Sequence, residues 1–252
     1  MSKNKKIKII GVIPARYKSS RFPGKPLADI HGKPMIWWVY NQATKVKDFT
    51  EVYVATDDKR IENKCIELGI KVIMTSERHE TGTDRVGEVA EKITADVYIN
   101  IQGDEPLVEP VNIMKAIEPF FLEKKISVTN LMTKVKNHED LLDITVPKVV
   151  VNANSEAVFL SRLPIPYPKG NFKVNYYKQV CVYGFTPQSL KFYCRSDRGA
   201  IERIEDIELL RFIEGGYKVK MIEVSQDIIA VDTEKDLENV RKLIAKKIKK
   251  NG

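Results

Sequence analysis

The fold is decided by the stretch Lys8-Ile9-Ile10-Gly11-Val12-Ile13-Pro14, which is an almost continuous apolar run. Buried parallel strands have this composition, because both faces of the sheet are covered. A polar loop follows at once, over residues 15–25. We therefore predict that the run is the first strand of a parallel sheet and that the loop leaves from its carboxyl end.

The same pattern repeats downstream. Apolar runs at 51–56, 71–75 and 96–101 predict further strands, and helical patterns at 35–45, 59–68 and 83–93 lie between them. Strands that alternate with helices predict an α/β fold with a mostly parallel sheet and helices on both faces. Ligands of such sheets bind at the carboxyl ends of the strands.

The second half of the chain has a different pattern. We predict strands at 146–151, 180–185 and 219–224, and helices at 204–214 and 233–248. Thr233 is the expected N-cap of the last helix, with Asp236 in a capping-box position. We predict one domain over residues 1–252, made of a first half of about 1–125 and a second half of about 126–252.

Size and composition limit the classes of protein. The chain has 252 residues, 43% hydrophobic and 30% charged, which is typical of a globular protein. No apolar run approaches the roughly 20 residues of a membrane helix, and no signal-peptide cleavage site follows the first strand, so we expect a cytoplasmic protein and no membrane partner. The net charge of +8 lies largely at the two ends, without an aromatic-interleaved basic stripe, so we expect no nucleic-acid partner.

The loop after the first strand is strongly basic. It reads Pro14-Ala15-Arg16-Tyr17-Lys18-Ser19-Ser20-Arg21-Phe22-Pro23-Gly24-Lys25. Arginine and lysine complement a triphosphate through charge-assisted hydrogen bonds. A solvated basic loop is the alternative, and the rigid Pro23-Gly24 turn between two of the cations favours the phosphate site.

Carboxylates follow the fourth strand and precede the last helix. The first segment is Gln102-Gly103-Asp104-Glu105-Pro106, and the second contains Asp232. A carboxylate at the edge of the sheet, beside a basic loop, suggests Mg²⁺ held jointly by the protein and by phosphate oxygens. An ordinary turn and an ordinary helix entrance are the alternatives. Thr81 to Thr83 offers backbone donors for a base edge or a phosphate, and no nucleophile is paired with a base.

Together these segments resemble the 3-deoxy-manno-octulosonate (KDO) cytidylyltransferases, or CMP-KDO synthetases. The resemblance covers nearly the whole chain. The segments that carry it are Ile13-Pro14-Ala15-Arg16, Ser20-Arg21-Phe22-Pro23-Gly24-Lys25-Pro26-Leu27, Gly32-Lys33-Pro34-Met35-Ile36, Val54-Ala55-Thr56-Asp57, Thr81-Gly82-Thr83-Asp84-Arg85, Gln102-Gly103-Asp104-Glu105-Pro106 and Val231-Asp232-Thr233. Related sugar nucleotidyltransferases have a Gly-x-Gly-x-x-x-Arg loop, whereas Pro-Ala-Arg points to the CMP-sugar branch.

The resemblance implies a Rossmann-like nucleotidyltransferase fold with a small dimerisation and sugar-binding lobe, and a homodimer. The first half would bind the nucleotide, and the second half would bind the sugar. The implied reaction transfers CMP from CTP to the anomeric hydroxyl of KDO, with Mg²⁺ as the cofactor and pyrophosphate as the second product. The product would serve lipopolysaccharide or capsule synthesis.

The resemblance also implies roles for individual residues. The expected catalytic residues are Arg16, Lys25, Asp104 and Asp232, of which Asp104 and Asp232 are the expected metal ligands. The expected nucleotide-binding residues are Pro14, Ala15, Arg16, Ser19, Arg21, Lys25, Thr81, Gly82, Arg85 and Asp104. The expected sugar-binding residues are Gln102, Arg162, Gln179, Tyr183, Glu205 and Glu208.

Two departures from the family pattern fall in the sugar half. Gln179 stands where the family usually has His, and Leu209 stands where it usually has Gln. Because of these departures, the alternative is the same reaction on another acidic acceptor, namely 8-amino-KDO, a nonulosonic acid or a small non-sugar acid. The alternative to an enzyme is a non-catalytic nucleotide-binding protein or a basic interaction protein. The presence of Arg16, Lys25 and the two aspartates together argues against it.

Overall fold

The computed structural model describes residues 7–19, 21–123, 125–171, 173–225 and 229–251. The strands are β1 (Ile9–Ala15), β2 (Asp29–Ile30), β3 (Lys33–Pro34), β4 (Glu51–Thr56), β5 (Val72–Met74), β6 (Val97–Ile101), β7 (Val128–Lys134), β8 (Lys148–Val151), β9 (Ala157–Ser161), β10 (Tyr177–Phe185) and β11 (Val219–Glu223). The helices are α1 (Met35–Ala43), α2 (Lys59–Glu67), α3 (Gly82–Lys92), α4 (Pro110–Ile117), α5 (Pro119–Leu122), α6 (His138–Leu142), α7 (Pro187–Arg195), α8 (Ala200–Glu205), α9 (Leu209–Glu214) and α10 (Glu234–Asn251), with a 3-10 turn at Lys25–Leu27.

These elements form two compact units, one of residues 7–114 and 229–251 and the other of residues 115–225. In the first unit, the strands lie in the order β6-β1-β4-β5, and every neighbouring pair is parallel. Every residue of β1 is buried, which accounts for its nearly continuous apolar sequence. The predicted α/β class, with a mainly parallel sheet, is confirmed.

The final helix packs in the first unit, although the sequence analysis grouped it with the second half. Its apolar residues Leu237, Val240 and Ile244 join Ile30 and Met35 in one buried cluster. The cap at its start is the predicted one, because Asp236 N–H donates to the Thr233 hydroxyl at 3.3 Å while Thr233 N–H donates to the Asp236 carboxylate at 2.8 Å. This packing fixes the entrance of α10, where Asp232 lies.

The second unit contains a mixed sheet. β11 is parallel to β7, while the pairs β7–β10, β10–β8 and β8–β9 are antiparallel. The pairing of β10 with β7 shifts register between Val180 and Tyr183. The Asn130 amide donates to the carbonyls of Val180 and Val182, at 2.8 and 2.9 Å, and so supplies hydrogen bonds that the interrupted ladder lacks.

The prediction of one helix over 204–214 is wrong. α8 ends at Glu205 and α9 begins at Leu209, because Asp206 takes a left-handed conformation with φ 51°. Asp206 tolerates this conformation better than a bulkier residue, and no glycine or proline marks the break. No helix of the described residues is both long enough and apolar enough to span a membrane.

Candidate active site

Three predicted catalytic residues meet in the first unit. The Lys25 ammonium donates to Asp104 Oδ2 at 2.5 Å and to Asp232 Oδ1 at 3.3 Å, and it also donates to the carbonyl of Val231 at 3.1 Å. The side chains of Lys25 and Asp104 are largely buried, whereas Asp232 is about one-third exposed, at 36%. Two carboxylates therefore share one ammonium at the edge of the sheet.

Each member of this cluster is held by a different part of the chain. Lys25 begins the 3-10 turn, directly after Gly24, whose φ of 72° favours glycine. Asp104 follows β6, and its carbonyl accepts a hydrogen bond from Val231 N–H at 2.9 Å. That backbone bond ties the end of β6 to the entrance of α10, so the two carboxylates are brought together by the main chain.

Gly103 allows β6 to end close to β1. A Cβ at this position would lie 2.7 Å from the carbonyl oxygen of Pro14, which is a backbone atom that cannot simply move aside. Only glycine fits this approach without displacing a strand. The predicted residues Pro14 and Ala15 thus end β1 directly beside the segment that carries Asp104.

The charge of Lys25 is set by its surroundings. Burial alone would lower its pKa, but the charges and hydrogen bonds of Asp104 and Asp232 outweigh burial, so the pKa of Lys25 is raised above its ordinary value. The ammonium is therefore fully protonated near neutral pH.

The rest of the basic loop lies beside this cluster. Arg21 is exposed, and its guanidinium donates to Asp232 Oδ1 at 3.0 Å. The hydroxyl of Ser19 accepts a hydrogen bond from Phe22 N–H at 3.3 Å, which closes a local turn. Arg16 follows β1 directly and is half-buried.

The predicted segment at Thr81 and Gly82 forms the start of α3. Thr81 is the N-cap, and it exchanges hydrogen bonds with Asp84 in a capping box. A Cβ on Gly82 would contact the ring of Pro14 and the amide of Asn100, at 3.6 Å from each. Two predicted nucleotide residues, Pro14 and Gly82, are therefore neighbours.

Arg85 is enclosed and paired within the protein. Its side chain is 1% exposed, and its guanidinium donates to Asp57 Oδ2 at 2.5 Å and to the Thr75 hydroxyl at 2.7 Å. This geometry ties the start of α3 to the ends of β4 and β5. A role of Arg85 in nucleotide binding stays a prediction, and these contacts favour a role in holding Thr81 and Gly82 in place.

Asn100 is a site residue that the sequence analysis did not single out. It lies on β6 and is fully buried, and neither atom of its carboxamide has a hydrogen-bond partner among the described residues. A buried amide without partners is costly, so such groups call for an explanation. The sequence feature that could have pointed to Asn100 is its amide side chain, which lies within the otherwise apolar strand Val97-Tyr98-Ile99-Asn100-Ile101.

The two carboxylates fit a divalent cation that is shared with a phosphate. Among the described residues, no group of three or more His, Cys, Asp or Glu side chains is placed to hold a metal ion by itself. Mg²⁺ commonly uses only one or two carboxylates and takes its remaining ligands from water and substrate phosphates. Asp104 and Asp232 already converge on one cationic group, Lys25, so their donor set suits such an ion.

The predicted sugar residues divide between the two units. Gln102 lies in the first unit, half-buried, directly after β6. In the second unit, the Glu205 carboxylate accepts hydrogen bonds from the Ser161 hydroxyl at 2.8 Å and from the Arg162 backbone N–H at 2.9 Å. The Arg162 guanidinium donates to the carbonyls of Ile144, Glu205 and Asp206.

The other sugar residues of the second unit lie on β10 and at the start of α9. The Gln179 amide lies 3.4 Å from the Tyr183 hydroxyl, across the register shift of β10. Glu208 is half-buried and immediately precedes α9.

Similar proteins decide the family. A profile for the Cytidylyltransferase family matches residues 10–224. A 3-deoxy-manno-octulosonate cytidylyltransferase of Fusobacterium nucleatum is 43% identical, over 93% of this chain and 96% of its own length. The protein of the same name from Escherichia coli is 42% identical, over 97% of this chain and 99% of its own length.

The chain belongs to the 3-deoxy-manno-octulosonate cytidylyltransferase family. A solved structure of a CMP:2-keto-3-deoxy-manno-octonic acid synthetase, complexed with CTP, superimposes with a TM-score of 0.91 at 41% identity, and covers 95% of this chain and 99% of that one. The resemblance seen in the sequence motifs is thereby confirmed for the family and for the fold.

Proposed function

We infer that this chain transfers CMP from CTP to the anomeric hydroxyl of KDO and releases pyrophosphate. The observation that carries the inference is the cluster of Lys25, Asp104 and Asp232 beside a basic loop, in a chain of this family. The similar proteins bear the KDO name, so the alternative acceptors find no support.

We propose that the nucleotide lies over the carboxyl ends of β1 and β6. Arg16, Arg21 and Lys25 would bind the triphosphate through charge-assisted hydrogen bonds. Pro14, Ala15 and Ser19 would border the nucleoside, and the first turn of α3, at Thr81 and Gly82, would face it. Their proximity to the carboxylate cluster supports this arrangement.

Asp104 and Asp232 would hold Mg²⁺ together with phosphate oxygens of CTP. When bound there, the ion neutralises charge on the phosphates and lowers the pKa of the attacking hydroxyl, so that no dedicated base is required. The cation that the two carboxylates already share, the Lys25 ammonium, supports this assignment.

The chain's own residues would align the reactants and stabilise charge. The hydroxyl oxygen forms a bond to the α-phosphorus, the bond from that phosphorus to the bridging oxygen breaks, and the hydroxyl proton passes to solvent. Lys25 and Arg16 would neutralise the charge that grows on the departing pyrophosphate. Most of the rate enhancement would come from alignment and charge rather than from covalent catalysis.

We propose that the sugar is bound by Gln102, Arg162, Gln179, Tyr183, Glu205 and Glu208. The Arg162 guanidinium donates to three backbone carbonyls, and one of its terminal nitrogens also lies 3.8 Å from the Asp206 carboxylate. The carboxylate of an acidic sugar would replace the exposed Asp206 carboxylate as the ion-pair partner of Arg162. Gln179, where the family usually has His, keeps a polar group near the Tyr183 hydroxyl.

A homodimer is also proposed. Several large apolar side chains of the second unit are exposed, namely Val158, Leu163, Tyr167 and Ile204. Exposed apolar groups of this size support a protein interface. Sedimentation equilibrium of the wild type and of Leu163→Asp tests it, and a monomeric wild type would contradict it. The cytoplasmic location stays a prediction.

The test of the function is pyrophosphate release from CTP and Mg²⁺, with and without KDO, and with ATP, GTP and UTP as controls. We expect release that requires both CTP and KDO. Asp104→Asn should abolish turnover without unfolding the protein, whereas the surface variant Asp48→Asn should leave it unchanged. Near-normal turnover by Asp104→Asn would contradict the metal assignment.

A further inference from the structure

The half-buried ring of Tyr17, in the basic loop, lies close to two other parts of the chain. The Arg60 guanidinium carbon lies 3.2 Å from the centre of the ring. The ring also lies close to Gly24, where a Cβ would stand only 3.0 Å from a ring atom. The ring is therefore near both Arg60 of α2 and the turn that carries Lys25.

Arg60 is held in this stacked position by Asp58. Its Nε donates to Asp58 Oδ1 at 2.9 Å, and a terminal nitrogen donates to Asp58 Oδ2 at 2.7 Å, which is a bidentate pair. Asp58 is itself fixed, because it caps α2 and its backbone N–H donates to the Thr56 hydroxyl at 3.2 Å. The pair thus links the Arg60 side chain, which is 58% exposed, to the residue that caps α2.

The stacking determines the shape of the loop. Gly24 N–H donates to the Tyr17 carbonyl at 2.7 Å and closes the loop, while Gly24 takes a positive φ that directs the chain into the 3-10 turn. Lys25 is the next residue, so a shift of the Tyr17 ring would move the ammonium that Asp104 and Asp232 share. A planar guanidinium stacks on an aromatic ring better than an ammonium does.

We propose that Arg60 is a positioning residue for nucleotide binding, which presses Tyr17 against Gly24 and thereby holds Lys25 in place for the triphosphate. The proposal rests on the proposed function for the identity of the nucleotide. Arg60 lies outside every motif that carries the family resemblance.

The experiment compares variants by calorimetric binding of CTP, without acceptor, and by the KM for CTP and for KDO. Arg60→Gln should weaken CTP binding about threefold to fivefold and raise the KM for CTP equally, with little change in kcat or in the KM for KDO. Arg60→Lys keeps the charge but not the planar group, so it should show most of the same loss. Lys59→Gln removes a neighbouring charge from the same helix and should change nothing.

A double-mutant cycle with Tyr17 separates stacking from charge. Tyr17→Leu should weaken CTP binding as Arg60→Gln does, the two losses should not add, and Tyr17→Phe should bind as the wild type does. Full recovery in Arg60→Lys, or additive losses, would show that Arg60 acts through charge alone and would overturn the proposal.

The two proposals can fail separately. CTP binding that depends on Arg60, without pyrophosphate release, would refute the proposed reaction and support the positioning role of Arg60. Pyrophosphate release that is unchanged in Arg60→Gln would support the proposed reaction and refute the positioning role of Arg60. A wild-type protein that binds no CTP would overturn both proposals. Thermal unfolding of each variant shows whether a loss of binding reflects a loss of the fold.

Discussion

Replacing Lys25 with methionine removes the ammonium that Asp104 and Asp232 share. We expect this change to raise the affinity for Mg²⁺ and to lower the affinity for CTP. The two carboxylates are left facing each other, so the protein should lose stability. A divalent cation should then bind more tightly, because it no longer competes with the ammonium. CTP should bind more weakly, because a phosphate contact is lost.

The magnitude follows from the distances. The two carboxylate oxygens lie 2.5 and 3.3 Å from the same Nζ, so they are at most about 6 Å apart, and at an effective dielectric constant of ~20 they repel by about 3 kcal/mol. Exposure of Asp232 to solvent and its remaining ion pair with Arg21 reduce this repulsion to about 2 kcal/mol. We expect the free energy of unfolding to fall by that amount and Mg²⁺ to bind about thirtyfold more tightly in the absence of nucleotide.

The assay follows the melting temperature against Mg²⁺ concentration for the wild type and Lys25→Met, with CTP binding measured in parallel. Lys18→Met removes a charge from the same loop and serves as the control, with an unchanged response to Mg²⁺. A Lys25→Met protein that is as stable as the wild type and responds no better to Mg²⁺ would refute the reasoning, because the ammonium would then not compete for the carboxylates.

Three further perturbations test other parts of the structure. Gly103→Ala places a Cβ against the Pro14 carbonyl, so we expect urea unfolding to show a loss of about 1–3 kcal/mol and kcat to fall as Asp104 shifts. Burial alone would raise the pKa of Glu88, but hydrogen bonds, including one from Lys92, lower it from 4.5 to about 2. The stabilisation that Glu88 provides is therefore present above about pH 5 and lost as the pH falls towards 2. We expect Glu88→Gln to lower the free energy of unfolding by up to about 3 kcal/mol at pH 7, and by progressively less below pH 5. Burial raises the pKa of Cys65 to about 12, so a thiol reagent at about pH 8 should modify it only as fast as the protein unfolds.

The first unit could be predicted from the sequence because its strands are buried on both faces. β1 and β6 are apolar almost throughout, and each ends at the segment that was expected to carry chemistry. β7 was not predicted, because Thr129 and Asn130 interrupt its apolar run. Both are buried, and each donates to a backbone carbonyl that is remote in sequence, so their polarity is satisfied by tertiary contacts that no local pattern reveals.

The sequence predicts which residues form the candidate site, but it does not predict how they are arranged in space. Lys25 is separated from Asp104 by 79 positions and from Asp232 by 207, and no spacing rule connects such distant residues. The basic loop and the Asp104 segment each follow a predicted strand, so they were expected at one edge of the sheet. The position of Asp232 depends on the packing of α10 within the first unit, which was not predicted from the sequence.

The cationic side chains of the two proposed binding sites, Lys25 and Arg162, have different partners. This difference affects how each would bind its ligand. Lys25 is paired with carboxylates, so a phosphate and a metal ion can replace both partners without leaving a buried charge alone. Arg162 is bonded to three backbone carbonyls, which are fixed by the fold and are not released to a ligand. In the proposed sugar site, a sugar carboxylate would therefore have to replace the Asp206 carboxylate, which lies 3.8 Å from a terminal nitrogen of Arg162. An ion pair of this kind recognises an acid without distinguishing one acidic sugar from another, so under the proposed function we expect the selection to come from the residues at the register shift of β10, Gln179 and Tyr183.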